Sequence, residues 1–198
     1  MSSTSSSLAD ALRAVLLDPA EAATLDVHGR VDAGVLVPLY LDGSELHAVL
    51  TRRRENLRRH GGEISFPGGR RDPDDADLLT TALREAEEEI GLPRGDVELV
   101  GALTPTPTVA TNYAVYPYVG LVEPGREWKL SAREVEEVLE LRLTDLRDGY
   151  ARKRLLRRGV VFRAHVYCVD DHLVWGATAR IVADLLRRTE PLLGRFAA

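Results

Sequence analysis

The residue types that could do chemistry are concentrated in one short acidic segment. Residues 84–92 read Arg84-Glu85-Ala86-Glu87-Glu88-Glu89-Ile90-Gly91-Leu92, which puts four carboxylates into the last turns of a helix. Acids at this end oppose the helix dipole, at a cost of ~0.3–1 kcal/mol each when exposed. Like charges three and four residues apart also repel one another. The segment therefore indicates that an added positive charge, in particular a divalent cation, compensates the carboxylates.

The element that must position these acids is a helix from near Ala76 to about Ile90, which Gly91 is suited to end. At 100° per residue one side is apolar and expected to be buried (Leu79, Ala82, Leu83, Ala86, Ile90), while Glu85, Glu88 and Glu89 share an outward-facing arc. Carboxylates at this spacing can direct oxygens at one point, as Mg²⁺ or Mn²⁺ requires, and Arg84 can hold Glu88. Such a face is typical of metal-assisted hydrolysis of a phosphoanhydride.

The alternative is that the acids form an ordinary solvated helix face, which is the common situation for charged residues. Two features favour the chemical interpretation. The acids lie at the unfavourable end of the dipole, and a glycine-rich break, Gly68-Gly69, precedes the helix by one loop.

Composition limits the remaining function classes. The chain has 198 residues, 44% hydrophobic and 29% charged, which suits one globular domain (8–198) after a disordered serine-rich tail (1–7). Its net charge of −5 argues against a nucleic-acid partner. No apolar run reaches the ~20 residues that span a bilayer, so no membrane partner is expected. The single cysteine, Cys168, fits the reducing cytoplasm and is expected to be a small buried hydrophobe.

The rest of the chain alternates extended and helical segments. Asp42-Gly43-Ser44, between two apolar runs, predicts a β-hairpin, and the 72–75 turn is expected to cap the acidic helix. The predicted strands are 33–41, 46–53, 63–66, 97–103, 113–122, 134–143 and 160–169, and the other predicted helices are 8–17 and 175–188. Strands with helices before, within and after them indicate an α/β sandwich.

Residues 69–92 resemble the Nudix box of the Nudix hydrolases. The second half of the box is matched at every position (Arg84, Glu85, Ala86, Glu88, Glu89, Gly91, Leu92), whereas Asp75 replaces the first glutamate and the spacer before Arg84 is one residue longer. The resemblance implies a Nudix α/β/α sandwich with a mixed β-sheet and a Mg²⁺- or Mn²⁺-dependent pyrophosphatase. It implies Glu85, Glu88, Glu89 and the Gly69 carbonyl as metal ligands, with Arg84 orienting the carboxylates.

The stretch from Leu50 to Gly69 is similar to the element upstream of the box in coenzyme A pyrophosphatases, and residues 174–180 also look like theirs. Arg53, Arg58, Gly62 and Phe66 fall in register with that element. This resemblance implies coenzyme A or its derivatives as substrate, cleaved to 3′,5′-ADP and 4′-phosphopantetheine. Two alternatives stay open: a pyrophosphatase for ADP-ribose, dinucleotides or nucleoside triphosphates, and a non-catalytic nucleotide sensor. A homodimer also remains open.

The remaining site candidates lie outside the box. Arg52, Arg53 and Arg58 are expected to bind substrate phosphates, or else to pair with the acidic helix or with the 72–75 turn. Asn112 is a candidate nucleotide contact. Nudix enzymes often take a general base from a later segment, and we favour Glu134 over its neighbours Glu136 and Glu137. Strand alternation would place Glu134 and Glu136 on one side, and a merely soluble charged edge strand is the alternative.

Overall fold

The computed structural model describes residues 2–55, 61–108, 112–157 and 159–194, with the side chains of 2–6 and 157 left aside. The helices are α1 (Ser2–Val15), α2 (Pro19–Ala23), α3 (Leu78–Ile90), α4 (Leu143–Asp148) and α5 (Gly176–Thr189). The strands are β1 (Val31–Asp42), β2 (Glu45–Arg53), β3 (Ile64–Ser65), β4 (Gly68–Arg70), β5 (Glu98–Ala102), β6 (Thr106–Pro107), β7 (Tyr113–Leu121), β8 (Val135–Arg142), β9 (Tyr150–Arg157), β10 (Val160–Val169) and β11 (His172–Val174).

The main sheet is mixed and is built around β1. Its strand order is β3-β2-β1-β7-β5, with β4 also on β1, β6 on β7 and β8 on β2. β1 runs parallel to β7 over residues 31–39 and antiparallel to β2 and β4. A smaller antiparallel sheet has the order β11-β10-β9.

Alternation along β1 separates two hydrophobic cores, one on each face of the main sheet. Val37 and Leu39 join the core that contains α1 and α5 residues such as Leu12 and Leu185. Leu36 lies in the second core, with α3 residues such as Ala86. Because successive side chains of a strand point to opposite faces, the apolar run in β1 contributes to both layers. The predicted α/β sandwich with a mixed sheet is confirmed.

The hairpin between β1 and β2 is also confirmed. Asp42 pairs with Glu45, which leaves Gly43 and Ser44 as a two-residue loop. Gly43 has φ +58°, a value that glycine adopts without the steric cost that other residues incur. The turn therefore fixes the register of the two strands that carry Leu39 and Ala48 into the core.

The acidic helix begins two residues later than predicted and ends where predicted. Its N-cap is Asp77, whose carboxylate accepts a hydrogen bond from the Thr80 amide at 2.7 Å. Gly91 ends it with φ +67°. Against β1 the helix lies very close: a Cβ on Gly34 would come within 2.1 Å of the Leu78 carbonyl oxygen. Glycine at position 34 thus allows α3 to pack directly on the central strand.

The structure departs from the predicted elements at several places along the chain. α1 extends from Ser2 to Val15, and its buried residues begin at Leu8, where the predicted helix begins. Cys168 is half-buried rather than fully buried. The sequence analysis did not predict α2, α4, β4, β6, β9 or β11. Across the described ranges, no helix is both long and apolar enough to cross a bilayer.

Candidate active site

Glu85 lies directly against Gly69 of β4. A Cβ on Gly69 would come within 2.4 Å of Glu85 Oε1 and 2.8 Å of its Oε2. Because Gly69 has no side chain, the Glu85 carboxylate can occupy the space beside its Cα, which we call the Gly69 cradle. The Cβ of any other residue at position 69 would fill that space. Burial raises the pKa of Glu85, while the adjacent Arg84 opposes that rise. The structure thus brings together two residues that the sequence assigned to one site.

Glu89 is buried, with only 3% of its surface exposed, although the helical arc predicted an outward-facing side chain. Its Oε2 accepts a hydrogen bond from the Gly68 amide at 3.3 Å, and its Oε1 lies 3.4 Å from Arg53 Nη1. The correction has a physical reason: β2 and β4 cover this side of α3, and periodicity along one helix carries no information on such neighbours. Burial raises the pKa of Glu89 to about 8, against the opposing effect of Arg53.

Arg84 is held by Asp75, the residue that replaces the first glutamate of the box. Arg84 Nε donates to Asp75 Oδ1 at 3.1 Å and Nη2 donates to Oδ2 at 3.0 Å. The Asp72 amide and the Thr81 hydroxyl also donate to this carboxylate. Arg84 lowers the pKa of Asp75 to about 2, helped by these hydrogen bonds. Asp75 was not among the predicted site residues, although its position in the box could have indicated it.

The free side of Arg84 faces the acids. Its Nη1 donates to Glu85 Oε1 at 3.0 Å and to Glu88 Oε2 at 3.3 Å. The side chain of Glu88 is 60% exposed, so it forms the solvent side of the cluster. Arg84 thus positions both carboxylates, as its place in the sequence predicts.

Arg53 lies between the buried acid and the predicted base. Its Nη1 is 3.4 Å from Glu89 Oε1, and its Nη2 is 3.8 Å from Glu134 Oε2. The negative charge of Glu134 raises the pKa of both Glu85 and Glu89, which places it in the same electrostatic cluster. Glu134 is half-exposed and lies in the turn before β8.

Arg52 has different partners. It lies 3.2 Å from Glu136 and 3.6 Å from Glu137, whereas Glu134, which was predicted on the same side of the strand as Glu136, contacts Arg53 instead. The reason is an irregularity in the β2–β8 pairing: Arg52 faces Glu137, whereas Arg53 faces Val135. A bulge of this kind inserts one residue and interrupts the alternation. Glu134 alone of the three acids contacts Arg53 in the described structure.

The other predicted substrate residues are less informative. Arg58 lies outside the described residues. Asn112 adopts φ +59°, a conformation in which asparagine is tolerated better than most residues. Its carbonyl accepts a hydrogen bond from the Arg30 amide at 2.8 Å, and none of its described contacts reaches the acid cluster. Two other residues of the same upstream motif are described: Gly62 has φ +73°, and the ring of Phe66 is fully buried.

The donor set fits a hard dication that keeps part of its water shell. Mg²⁺ binds through one or two carboxylates plus water; Glu85 lies against Gly69, and Glu88 is joined to Glu85 through Arg84 Nη1. Burial raises the pKa of Glu89 and so disfavours its ionised form; a cation nearby would favour that ionised form again. Within the described ranges, no three acidic, histidine or cysteine side chains are grouped closely enough to enclose an ion by themselves.

Comparisons with known proteins agree with this geometry. A family model described as NUDIX domain matches residues 30–162. The chain is 37% identical over 160 residues to the uncharacterized Nudix hydrolase NudL of Photorhabdus laumondii, covering 80% of this chain and 84% of the relative. It is 39% identical over 158 residues to NudL of Citrobacter koseri, covering 79% and 81%.

Solved structures share the fold. The crystal structure of the M. smegmatis Nudix hydrolase RenU matches with a TM-score of 0.52 and 22% identity, over 61% of this chain and 75% of that one. A MutT/nudix family protein from Enterococcus faecalis matches with a TM-score of 0.53 and 14% identity, over 84% and 64%. By its family model, its relatives and its fold, the chain belongs to the Nudix hydrolase family.

Proposed function

We propose that this Nudix hydrolase cleaves the diphosphate bond of coenzyme A or of its acyl derivatives, releasing 3′,5′-ADP and 4′-phosphopantetheine or its acylated form. The observation that supports the reaction type is the contact of Glu85 with Gly69. Glu89 accepts a hydrogen bond from the adjacent Gly68 amide, and Arg84 donates to Glu85. The substrate rests on the resemblance of residues 50–69 to coenzyme A pyrophosphatases, the segment that brings Arg53 to the acids.

Glu85, Glu88 and Glu89, with the Gly69 carbonyl, are the residues that would hold Mg²⁺ or Mn²⁺. When bound, such an ion supplies a Lewis acid for diphosphate oxygens and makes water more acidic. Arg84, fixed by Asp75, keeps Glu85 and Glu88 in place for this task.

Proton transfer from the attacking water is assigned to Glu134. Its carboxylate is half-exposed and belongs to the same electrostatic cluster as Glu85 and Glu89. Arg53 lies 3.8 Å from one oxygen of this carboxylate, and the other oxygen is the one proposed to accept the proton of a water molecule. Arg53 itself is the described cation best placed to contact a substrate phosphate beside these acids.

A substrate panel tests the specificity. Coenzyme A, acetyl-coenzyme A, ADP-ribose, a diadenosine polyphosphate and ATP are incubated with Mg²⁺ or Mn²⁺, and the products are separated. Release of 3′,5′-ADP, at a higher kcat/KM than release of AMP or pyrophosphate from the others, is the expected result. Faster turnover of any other substrate in the panel would replace coenzyme A as the proposed substrate.

Glu88→Gln tests catalysis against a sensor role. We expect loss of at least about a hundredfold in kcat with nucleotide binding retained, because the amide keeps the shape and removes the charge. The matched control is Glu87→Gln, an exposed neighbour on the same helix without a described side-chain contact to the site. Equal behaviour of both variants and the wild type would contradict a metal-dependent reaction at this helix.

A further inference from the structure

A second, oppositely charged feature lies away from the acid cluster. Between Asp148 and Asp170 the sequence holds six basic residues and no acid (Arg152, Lys153, Arg154, Arg157, Arg158, Arg163). The whole chain carries −5 and this segment +6, so the remainder carries −11. The local charge is thus opposite in sign to the net charge of −5, from which the sequence analysis argued against a nucleic-acid partner.

The pairing of β9 with β10 gathers these charges on one face. Arg154 is directly opposite Arg163, and Arg152 is opposite His165. Directly opposed residues of an antiparallel pair share a face with Cβ atoms ~5 Å apart, where like charges are destabilising. All four side chains are exposed, and the three arginines have no ion-pair partner among the described residues. The repulsion has no compensating acid in this part of the chain.

Exposed apolar side chains extend the same hairpin toward its turn. Leu156 is 72% exposed and lies directly opposite Val161, which is 59% exposed. β9 is also an edge strand of its sheet. Scattered apolar residues on a surface need no explanation, but a contiguous group next to a cationic face marks an interaction site.

We propose that this face (Arg152, Arg154, Leu156, Val161 and Arg163), the basic hairpin face, docks on a membrane surface that contains anionic phospholipids. Headgroup phosphates pair with the arginines while Leu156 and Val161 enter the boundary with the acyl chains. This is contact from one side and requires no spanning segment. The proposal does not depend on which nucleotide substrate the acid cluster hydrolyses.

Charge and apolarity together favour this partner over two others. A second copy meeting the chain through the same face would bring arginines against arginines, because a two-fold interface juxtaposes identical patches. A nucleic acid would pair with the arginines but would leave Leu156 and Val161 in water. An anionic lipid surface offers phosphates to the arginines and acyl chains to Leu156 and Val161.

Co-sedimentation of the full chain with vesicles tests the proposal. The chain is expected to pellet with phosphatidylcholine vesicles containing phosphatidylglycerol, to stay in solution with phosphatidylcholine alone, and to dissociate as salt is added. Arg154→Gln with Arg163→Gln is expected to weaken binding by about 25-fold, roughly fivefold for each charge. The matched control removes two exposed arginines elsewhere, Arg94→Gln with Arg187→Gln, and should bind as the wild type does.

A second variant separates lipid from nucleic acid. Leu156→Thr with Val161→Thr keeps residues that suit a strand and removes the apolar contact, so vesicle binding should fall while its salt dependence persists. Circular dichroism and activity on soluble substrate should be unchanged in all variants, because none of these residues touches the acid cluster. Absence of vesicle binding at low salt would overturn the proposal. So would equal losses in the hairpin and control variants, or tighter binding to a single-stranded oligonucleotide than to the vesicles.

Discussion

At the scale of single residues, Asp75 shows how the box tolerates a shorter acid. Aspartate has one methylene less than the glutamate of the family pattern, and the spacer to Arg84 has one residue more. The carboxylate still accepts from both Nε and Nη2 of Arg84. An arginine held in this two-point manner has a fixed plane, so its remaining donors meet Glu85 and Glu88 in a defined orientation.

Asp75→Asn should lower the free energy of unfolding at pH 7 by about 2 kcal/mol. The pKa of Asp75 is about 2 in the folded protein against an ordinary value of 3.8. The stabilisation is therefore complete above pH ~4 and is lost as the pH falls toward 2. Urea unfolding of both proteins at pH 7 and near pH 2 should show curves that differ at the first pH and converge at the second.

Asp74→Asn is the control for that experiment, since Asp74 is exposed and has no described partner outside its turn. It should unfold as the wild type does at both pH values. A gap between wild type and Asp75→Asn that persists at the low pH would show that the effect comes from packing and not from ionisation.

At the scale of elements, the acid-rich end of α3 is closed by a loop rather than left in water. The Lys129 amide donates to the Ile90 carbonyl at 3.1 Å, and the Ser131 amide donates to the Glu89 carbonyl at 2.9 Å. These bonds satisfy two of the carbonyls that a helix terminus leaves without partners. The same loop leads into Glu134, so the element that ends the helix also delivers the proposed base.

Gly69→Ala should reduce kcat/KM by about a hundredfold, because a displacement of roughly 1 Å in a catalytic group has that order of effect. The added methyl group would overlap the Glu85 carboxylate at 2.4 Å, which moves the acid out of the cradle. Gly95→Ala is the matched control, since a Cβ there meets nothing within 4 Å. Steady-state kinetics and thermal unfolding of both variants separate a loss of catalysis from a loss of stability. Gly69→Ala is expected to lose activity while remaining folded.

Local patterns in the sequence predicted the elements with apolar periodicity and missed those that depend on neighbours. α3, the β1–β2 turn and the shared contact of Glu85 and Glu88 with Arg84 follow from spacing within one segment. The burial of Glu89 depends on β2 and β4, and the split between Glu134 and Glu136 depends on an irregular register. β9 was missed because Arg152, Lys153 and Arg154 are consecutive charged residues and give no apolar alternation, whereas pairing with β10 makes the segment a strand.

At the scale of the whole molecule, the acid cluster contributes little to the framework that carries it. The two hydrophobic cores lie on opposite faces of the main sheet and are built mainly from aliphatic side chains, with a few aromatic ones. Removing a cation should therefore leave the protein folded, unlike small domains whose folding depends on a metal.

Protein treated with EDTA should keep its circular dichroism spectrum and lose its activity. Added Mn²⁺ should then raise Tm by about 5–10 °C when the ion is at ~100 times its Kd, since binding to the native state alone contributes about 2.7 kcal/mol. The double variant Glu85→Gln with Glu88→Gln should show the same Tm with and without Mn²⁺. An equal rise in the variant would place the ion somewhere other than α3.

The parallel pairing of β1 with β7 has a consequence for the order in which the protein can assemble. Residues 31–39 find their partners at 113–121, so a nascent chain on the ribosome cannot complete its central sheet until more than half of it has emerged. Long loops closed by such distant contacts slow folding. Until then β1 keeps one edge unpaired, which makes early capture by a chaperone an advantage for this chain.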